Sequence, residues 1–306
     1  MAIKPASLQR GDTVGIVTLG SPLDAVTINE RIAFLQGMGL QVVLGNYVYS
    51  QNGFLAGTDE QRAEDLMRMF TDTRVKMILP TRGGVGVGGI LPHLDYSLIS
   101  RNPKIISGYS DISILLNVLY QFSDMVTLHS LLLVDFRADT PPYNFEQFFT
   151  ATSSTVSPRP ILNPPGIPLV GRVGGNVSGP IVGGNLTSIV GSIGTPFEID
   201  TAGKIIFIEE THEPINTVYR YLEHMMLAGK FDDCIGIVMG ECTECPNAYG
   251  KSYDDLINEF IVPIGKPLIT NLASGHGYYK AAIPIGCRVN LNSFNNTITL
   301  LEPAVR

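Results

Sequence analysis

Short β-branched runs alternate with amphipathic helical stretches through the first half of this chain, and that alternation suits a largely parallel sheet flanked by helices. Residues 13–18 (TVGIVT) read as a first strand. Residues 24–38 then carry Ile28, Ile32 and Leu35 at helical spacing, with Gly39 closing the helix before a second strand over 40–44. A second unit opens with the capping box Thr58-x-x-Gln61, runs a helix to about Phe70, and enters a strand over 75–79 that stops at Pro80 before a glycine-rich loop. A third places a strand over 104–107, a turn at Gly108-Tyr109-Ser110 and a helix from Asp111 to about Phe122.

Five prolines fall within residues 157–168, and proline cannot donate to a strand ladder, so this stretch reads as a linker. It divides the chain into 1–156 and 169–306. The second part has strands expected over 205–208, 235–239 and 267–270, helices over 215–227 and 253–261, and a terminal hairpin pairing 288–291 with 297–301.

The 306 residues suffice for two domains with real cores. Charged residues make up 16% of the chain, with 28 acidic against 21 basic, so no phosphate-neutralising surface for nucleic acid is expected. There is no apolar run long enough to span a membrane and no secretory signal pattern at the N-terminus, which leads to the expectation of a cytoplasmic protein with no membrane partner. The four cysteines, Cys234, Cys242, Cys245 and Cys287, are too few for a disulfide framework and are expected as reduced thiols. Cys242 and Cys245 form a single C-x-x-C with no second pair, which supports no zinc site and leaves their role unassigned.

The loop Arg82-Gly83-Gly84-Val85-Gly86-Val87-Gly88-Gly89 contains a literal G-x-G-x-x-G, but it does not follow the first strand. The acidic residue a dinucleotide site wants about 20 residues on is also missing, as residues 107–110 stand there. No cofactor is expected. Glycines at a strand's C-terminal edge can instead bring backbone N–H groups against a developing oxyanion. Ser110 sits at a sharp strand-to-helix turn resembling a nucleophile elbow, although the second glycine of G-x-S-x-G is absent. Serine and aspartate are also favoured N-caps, so Ser110 or Asp111 could equally start the helix. Of the histidines His93, His129, His212, His224 and His276, the last stands apart, framed by Gly275 and Gly277 soon after a strand. An orienting acid is available at Glu209 or Glu210; adjacent strand residues face opposite ways, so at most one can serve, and pairing on a solvated edge is the simpler alternative.

Taken together, these motifs resemble the LD-carboxypeptidase family of serine peptidases, which includes muramoyl-tetrapeptide carboxypeptidases and microcin C immunity peptidases. The resemblance runs over nearly the whole chain. It is carried by residues 8–12 (LQRGD), 56–66 (AGTDEQRAEDL), Arg82-Gly83-Gly84, Asn102-Pro103-Lys104 and Gly108-Tyr109-Ser110-Asp111. In the second half the matching pieces are Gly183-Gly184-Asn185-Leu186, residues 207–210 with Glu213-Pro214, and 274–277 (SGHG). It implies an α/β fold of two domains, the first a mostly parallel, flavodoxin-like or Rossmann-like sheet and the second an α/β domain with a mixed sheet, with the site at their interface.

The resemblance also implies roles: Ser110 as nucleophile, His276 as base and acid, and Glu209 as the carboxylate fixing the histidine tautomer, with Glu210 the fallback. Gly84 and Asp111 would supply the oxyanion hole, with Gly83 a neighbour able to substitute, and Arg82, Gly83 and Asn185 would meet substrate. The expected reaction is release of terminal D-alanine from a murein tetrapeptide in cell-wall recycling, without metal or cofactor, in a possible homodimer. Two rivals stand beside it: hydrolysis of a microcin C-type peptidyl-nucleotide, and a non-catalytic peptide-binding protein. The chain departs from the family pattern at Val85, where relatives often carry Tyr, near Gly89, where they carry Arg, and at His129-Ser130, where many read His-Gly-Pro. It has no tryptophan to stack on a nucleobase, which leans toward a cell-wall peptide.

Overall fold

Residues 14–17 are buried on both faces of their strand, as an interior strand between two helical layers must be. The computed structural model describes residues 2–306. In its first half, β1 (Thr13–Val17), β2 (Gln41–Leu44), β3 (Val75–Pro80), β4 (Ile105–Gly108) and β5 (Thr127–His129) pair in parallel. Helices α1 (Ala25–Gly37), α2 (Asp59–Thr71), α3 (Tyr96–Arg101), α4 (Ile112–Ser123) and α5 (Pro142–Ser153) connect or follow them. The expected capping box is present: the Thr58 hydroxyl accepts the Gln61 N–H, and the Gln61 side chain accepts the Thr58 N–H.

The second half adds β6 (Arg159–Ile161), β7 (Val170–Val173), β8 (Asn176–Asn185), β9 (Ile205–Thr211), β10 (Gly236–Thr243), β11 (Leu268–Leu272), β12 (Ile283–Ile285), β13 (Arg288–Asn292) and β14 (Thr297–Leu300). Helices α6 (Leu186–Val190), α7 (Ile215–Leu227) and α8 (Tyr253–Leu256) lie among them. The second sheet is ordered β6-β14-β13-β8-β9-β10-β11-β7, parallel through its centre from β8 to β11 and antiparallel toward both edges. A mostly parallel first sheet and a mixed second one is the expected class of fold.

Two expectations need correction, and one strand pairing was not expected at all. The proline-rich stretch is not all linker: Arg159–Ile161 is an edge strand that pairs only with β14, and an edge is where a sheet tolerates proline. β12 leaves its own half and pairs antiparallel with β5, completing the order β12-β5-β4-β3-β1-β2 and tying the two sheets together. Cys242 and Cys245 are not free thiols but are joined by a disulfide across the C-x-x-C, while Cys234 and Cys287 are free and buried. Among the described residues no helix is long and apolar enough to cross a membrane.

Candidate active site

Ser110 follows β4 and precedes α4, so strand register and helix start together fix its position. The turn is tight enough that a side chain at 108 would strike Ile112 and Leu132, which explains Gly108. Ser110 itself has φ +62°, a left-handed conformation that costs a non-glycine residue energy and marks sharp functional turns. Asp111 is the N-cap residue of α4 by position, so the helix-start reading holds for it. No side chain caps α4, and the Asp111 carboxylate instead accepts the Val87 N–H at 2.8 Å, anchoring the glycine loop.

That loop rests directly on the serine. A Cβ placed on Gly83 would come within 2.5 Å of Ser110 Cβ and 2.8 Å of its Oγ, with the Asp111 amide nitrogen at 3.2 Å, so only glycine allows this approach. The Gly83 carbonyl accepts the Ser21 N–H at 3.3 Å, and in a trans peptide this turns the Gly84 N–H away from Ser21. Ser21 Oγ also accepts the Val85 N–H, and buried Arg62 donates to the Gly86 carbonyl at 2.8 Å. Arg82 is exposed at the tip of β3.

His276 stands in the loop after β11. Its Nδ1 lies 2.9 Å from Glu209 Oε2, and its ring meets Tyr109 edge-on with centroids 5.0 Å apart. Glu209 is completely buried on β9, which has parallel neighbours on both sides. Burial alone would raise its pKa, but the histidines His129 and His276 facing it outweigh that and hold it at about 2. The carboxylate is therefore ionised at neutral pH and can only accept, so His276 donates through Nδ1 and, when neutral, presents Nε2 as a base.

Glu210 points the other way, as strand alternation requires, and is not on a solvated edge. It accepts from Asn185 Nδ2 (3.1 Å), Thr187 N (2.8 Å) and Thr187 Oγ (2.6 Å), with burial raising its pKa. Asn185 is spent in the same network: its Oδ1 accepts from Ser188 N to cap α6, and its own N–H reaches Ser113 Oγ on α4. Together with the paired bonds between Asn117 and Gly183, this stitches the helix that follows Ser110 to the strand beside Glu209. The carboxylate and imidazole from one sheet are thus held against the serine turn of the other.

Several supporting residues escaped the sequence reading. Lys280 is buried and donates to the carbonyls of Gly275 (2.9 Å) and Gly277 (2.7 Å), bracing the His276 loop from both sides, and its ammonium lies 4.8 Å from the centre of the Tyr109 ring. The Tyr109 hydroxyl donates to Asp135. His129 is fully buried, with Nε2 3.8 Å from the second oxygen of Glu209. Of the other histidines, His93, His212 and His224 are exposed and away from this cluster. His129 stood among the candidate histidines of the sequence, and its place at the end of β5 is the local signal it carries.

The family model described as the LD-carboxypeptidase N-terminal domain matches residues 14–130, and the one for the C-terminal domain matches residues 178–291. A Bacillus subtilis (strain 168) protein, described as a probable murein peptide carboxypeptidase, is 35% identical over 305 residues, 97% of this chain and 94% of its own length. The chain belongs to the LD-carboxypeptidase family. It is accordingly a serine-type carboxypeptidase in class. The murein tetrapeptide carboxypeptidase of Pseudomonas aeruginosa is 29% identical over 94% of this chain and 96% of its own. In fold, a solved structure of the microcin C7 self-immunity protein MccF superposes with a TM-score of 0.92 at 24% identity, covering 99% of this chain and all of the other.

Proposed function

We propose that this carboxypeptidase removes the terminal D-alanine of a murein tetrapeptide through an acyl-enzyme on Ser110. The observation that carries the reading is the buried, ionised Glu209 bonded to His276 Nδ1 beside the Ser110 turn. In the acylation step His276 Nε2 takes the Ser110 proton as Oγ attacks the scissile carbonyl carbon. The tetrahedral oxyanion is received by the N–H groups of Gly84 and Asp111, with Gly83 allowing the approach. Collapse breaks the C–N bond, and the imidazolium gives its proton to the departing D-alanine amine. Water, deprotonated by His276, then attacks the ester and frees Ser110. Exposed Arg82 is assigned to the substrate's terminal carboxylate, which a guanidinium can bind through two parallel hydrogen bonds. Asn185 is assigned to bracing the site from behind, since its side chain is committed to Ser188 and Glu210.

Support for the cell-wall substrate comes from relatives described as murein peptidases and from the absence of tryptophan. The division into 1–156 and 169–306, the cytoplasmic setting and a homodimer belong to the same reading. The peptidyl-nucleotide alternative keeps every step but changes the substrate, and the similarity to MccF favours it over a pure binding role.

Mass spectrometry of the protein incubated with L-Ala-γ-D-Glu-meso-diaminopimelyl-D-Ala, beside Ser110→Ala, tests the proposal. Release of one D-alanine by the unmodified protein alone is the expected result. An untouched peptide, with cleavage of a peptidyl-nucleotide instead, would transfer the assignment to the rival.

A further inference from the structure

Arg62 lies on α2, in the segment 56–66 that opens with the capping box, and its side chain is completely buried. Its ionic partner is Asp59, a carboxylate that is itself part-exposed. Burying a charge is costly unless its hydrogen bonds are made, so the groups that receive this guanidinium are informative. Nη1 donates to two backbone carbonyls: that of Leu19, in the loop after β1, and that of Gly86, in the glycine loop after β3, the latter at 2.8 Å.

Those two carbonyls bracket the peptide that presents the Gly84 N–H. Ser21, two residues after Leu19, donates its N–H to the Gly83 carbonyl at 3.3 Å and accepts the Val85 N–H on Oγ at 3.1 Å. A Cβ on Gly20 would come within 2.5 Å of the Gly83 oxygen, so the loop after β1 is pressed against the glycine loop. On the far side, the peptide between Gly86 and Val87 is held at both ends, its carbonyl by Arg62 and its N–H by the Asp111 carboxylate at 2.8 Å. Burial raises the Asp111 pKa, and the Arg62 charge opposes that rise.

We propose that Arg62 is the positioning residue of the oxyanion hole: by joining the loop after β1 to the glycine loop, one guanidinium sets the Gly84 N–H relative to the Asp111 N–H. This rests on the reading of Ser110 as nucleophile and of those two N–H groups as its oxyanion donors. Being fully buried, Arg62 acts through the backbone and not on substrate. Alignment of the donors matters most where negative charge develops and little where the neutral peptide binds. A planar fork reaches both loops and Asp59 together, which a lysine ammonium does not reproduce.

Arg62→Lys and Arg62→Met test the proposal in two assays. In steady-state hydrolysis of L-Ala-γ-D-Glu-meso-diaminopimelyl-D-Ala, kcat is expected to fall roughly 10²-fold in both variants, the effect of losing one oxyanion donor, with KM within about three-fold. The second assay uses an alkyl fluorophosphonate: Ser110 Oγ attacks phosphorus, the serine proton passes to His276, the P–F bond breaks and fluoride leaves. Mass spectrometry follows the gain at Ser110, whose rate should fall by a similar factor whatever the natural substrate. Circular dichroism identifies the folded variants. Asp59→Asn, which frees one arm of the fork at a part-exposed carboxylate, is the milder change and should lose less, in the same direction. Unchanged kcat and labelling rate in either folded Arg62 variant overturns the proposal, as does a loss confined to KM. An unmodified protein that is not labelled at Ser110 would overturn the nucleophile reading and the proposal with it. Labelling without release of D-alanine would move only the substrate to the rival, and the labelling rates of the variants would then decide the role of Arg62.

Discussion

His129 Nε2 and Glu209 Oε1 face each other at 3.8 Å, and both atoms are buried without a hydrogen-bond partner. The other oxygen of Glu209 is held by His276, so this carboxylate lies between two histidines. The Ser274 hydroxyl donates to the Ala281 carbonyl at 2.8 Å and turns an oxygen lone pair toward His129 Nδ1 at 3.5 Å. Both ring nitrogens of His129 thus look at acceptors. A ring proton on Nε2 is what keeps Glu209 from facing an apolar wall with a bare charge.

His129→Phe conserves the ring and removes that proton. The variant is expected to lose about 1–3 kcal/mol of stability, because the buried Glu209 charge would then face an apolar ring in place of a polar one. Its kcat should fall roughly ten-fold as Glu209 loosens, an effect much smaller than loss of the nucleophile, with KM little changed. His129→Gln restores a donor and should recover part of both. Urea denaturation and steady-state kinetics on the same preparations check this; unchanged kcat in His129→Phe would remove His129 from the positioning of Glu209.

Ser110, the proposed nucleophile, has a left-handed backbone, and stability and activity should therefore part company there. Ser110→Ala and Ser110→Gly are both expected to lose roughly 10⁴- to 10⁶-fold in kcat. Ser110→Gly should nonetheless be about 1 kcal/mol more stable than Ser110→Ala, since glycine has no Cβ to strain at positive φ. Thermal melts of the two inactive variants give the answer, and equal midpoints would mean that the turn relaxes without the serine.

Gly275 tests the carboxylate–histidine contact from the backbone. Its φ is +92°, and a Cβ there would overlap Glu209 Oε2. Gly275→Ala must displace either the Glu209 carboxylate or the His276 loop, so kcat is expected to drop roughly 10²-fold or more while the fold persists. Gly11→Ala, also at positive φ but with open space around it, is the matched control for backbone strain and should keep its activity.

The alternation of strand and helix made the first sheet legible, and the glycine-framed Ser110, Glu209 and His276 were legible as candidates because strand ends and turns carry local signals. What lay beyond reach were contacts between sequence-distant segments. β8 is rich in Gly and Pro (Gly179, Pro180, Gly183, Gly184), which speaks against a strand locally, yet Gly183 and Gly184 are needed because Phe207 and Ser113 crowd them in the folded state. β12 is three residues long and finds its partner in the other half of the chain. His129 and Lys280 become meaningful only once those pairings form. The choice between Glu209 and Glu210 was open in sequence, since alternation says that they differ and not which one faces His276.

That difference has a signature in pH. Glu209 is held at about 2 against an ordinary value of 4.5, so its contribution to stability is fully present above about pH 4.5 and is lost as the pH falls toward 2. Glu210 is shifted the other way by burial, so its ionised form opposes folding above its raised pKa, and that opposition fades as pH falls toward 4.5. Each Glu→Gln variant resembles the protonated residue at every pH. The stability advantage of the unmodified protein over Glu209→Gln should therefore shrink on acidification, and its balance against Glu210→Gln should move in its favour. Denaturant titrations between about pH 7 and about pH 3 measure both differences, with the two slopes predicted to carry opposite signs. Glu209→Gln should also lose roughly 10⁴-fold in kcat through the wrong histidine tautomer, whereas Glu210→Gln, away from His276, should stay within about ten-fold. Slopes of the same sign, or the larger kinetic loss at Glu210, would exchange the two residues' roles.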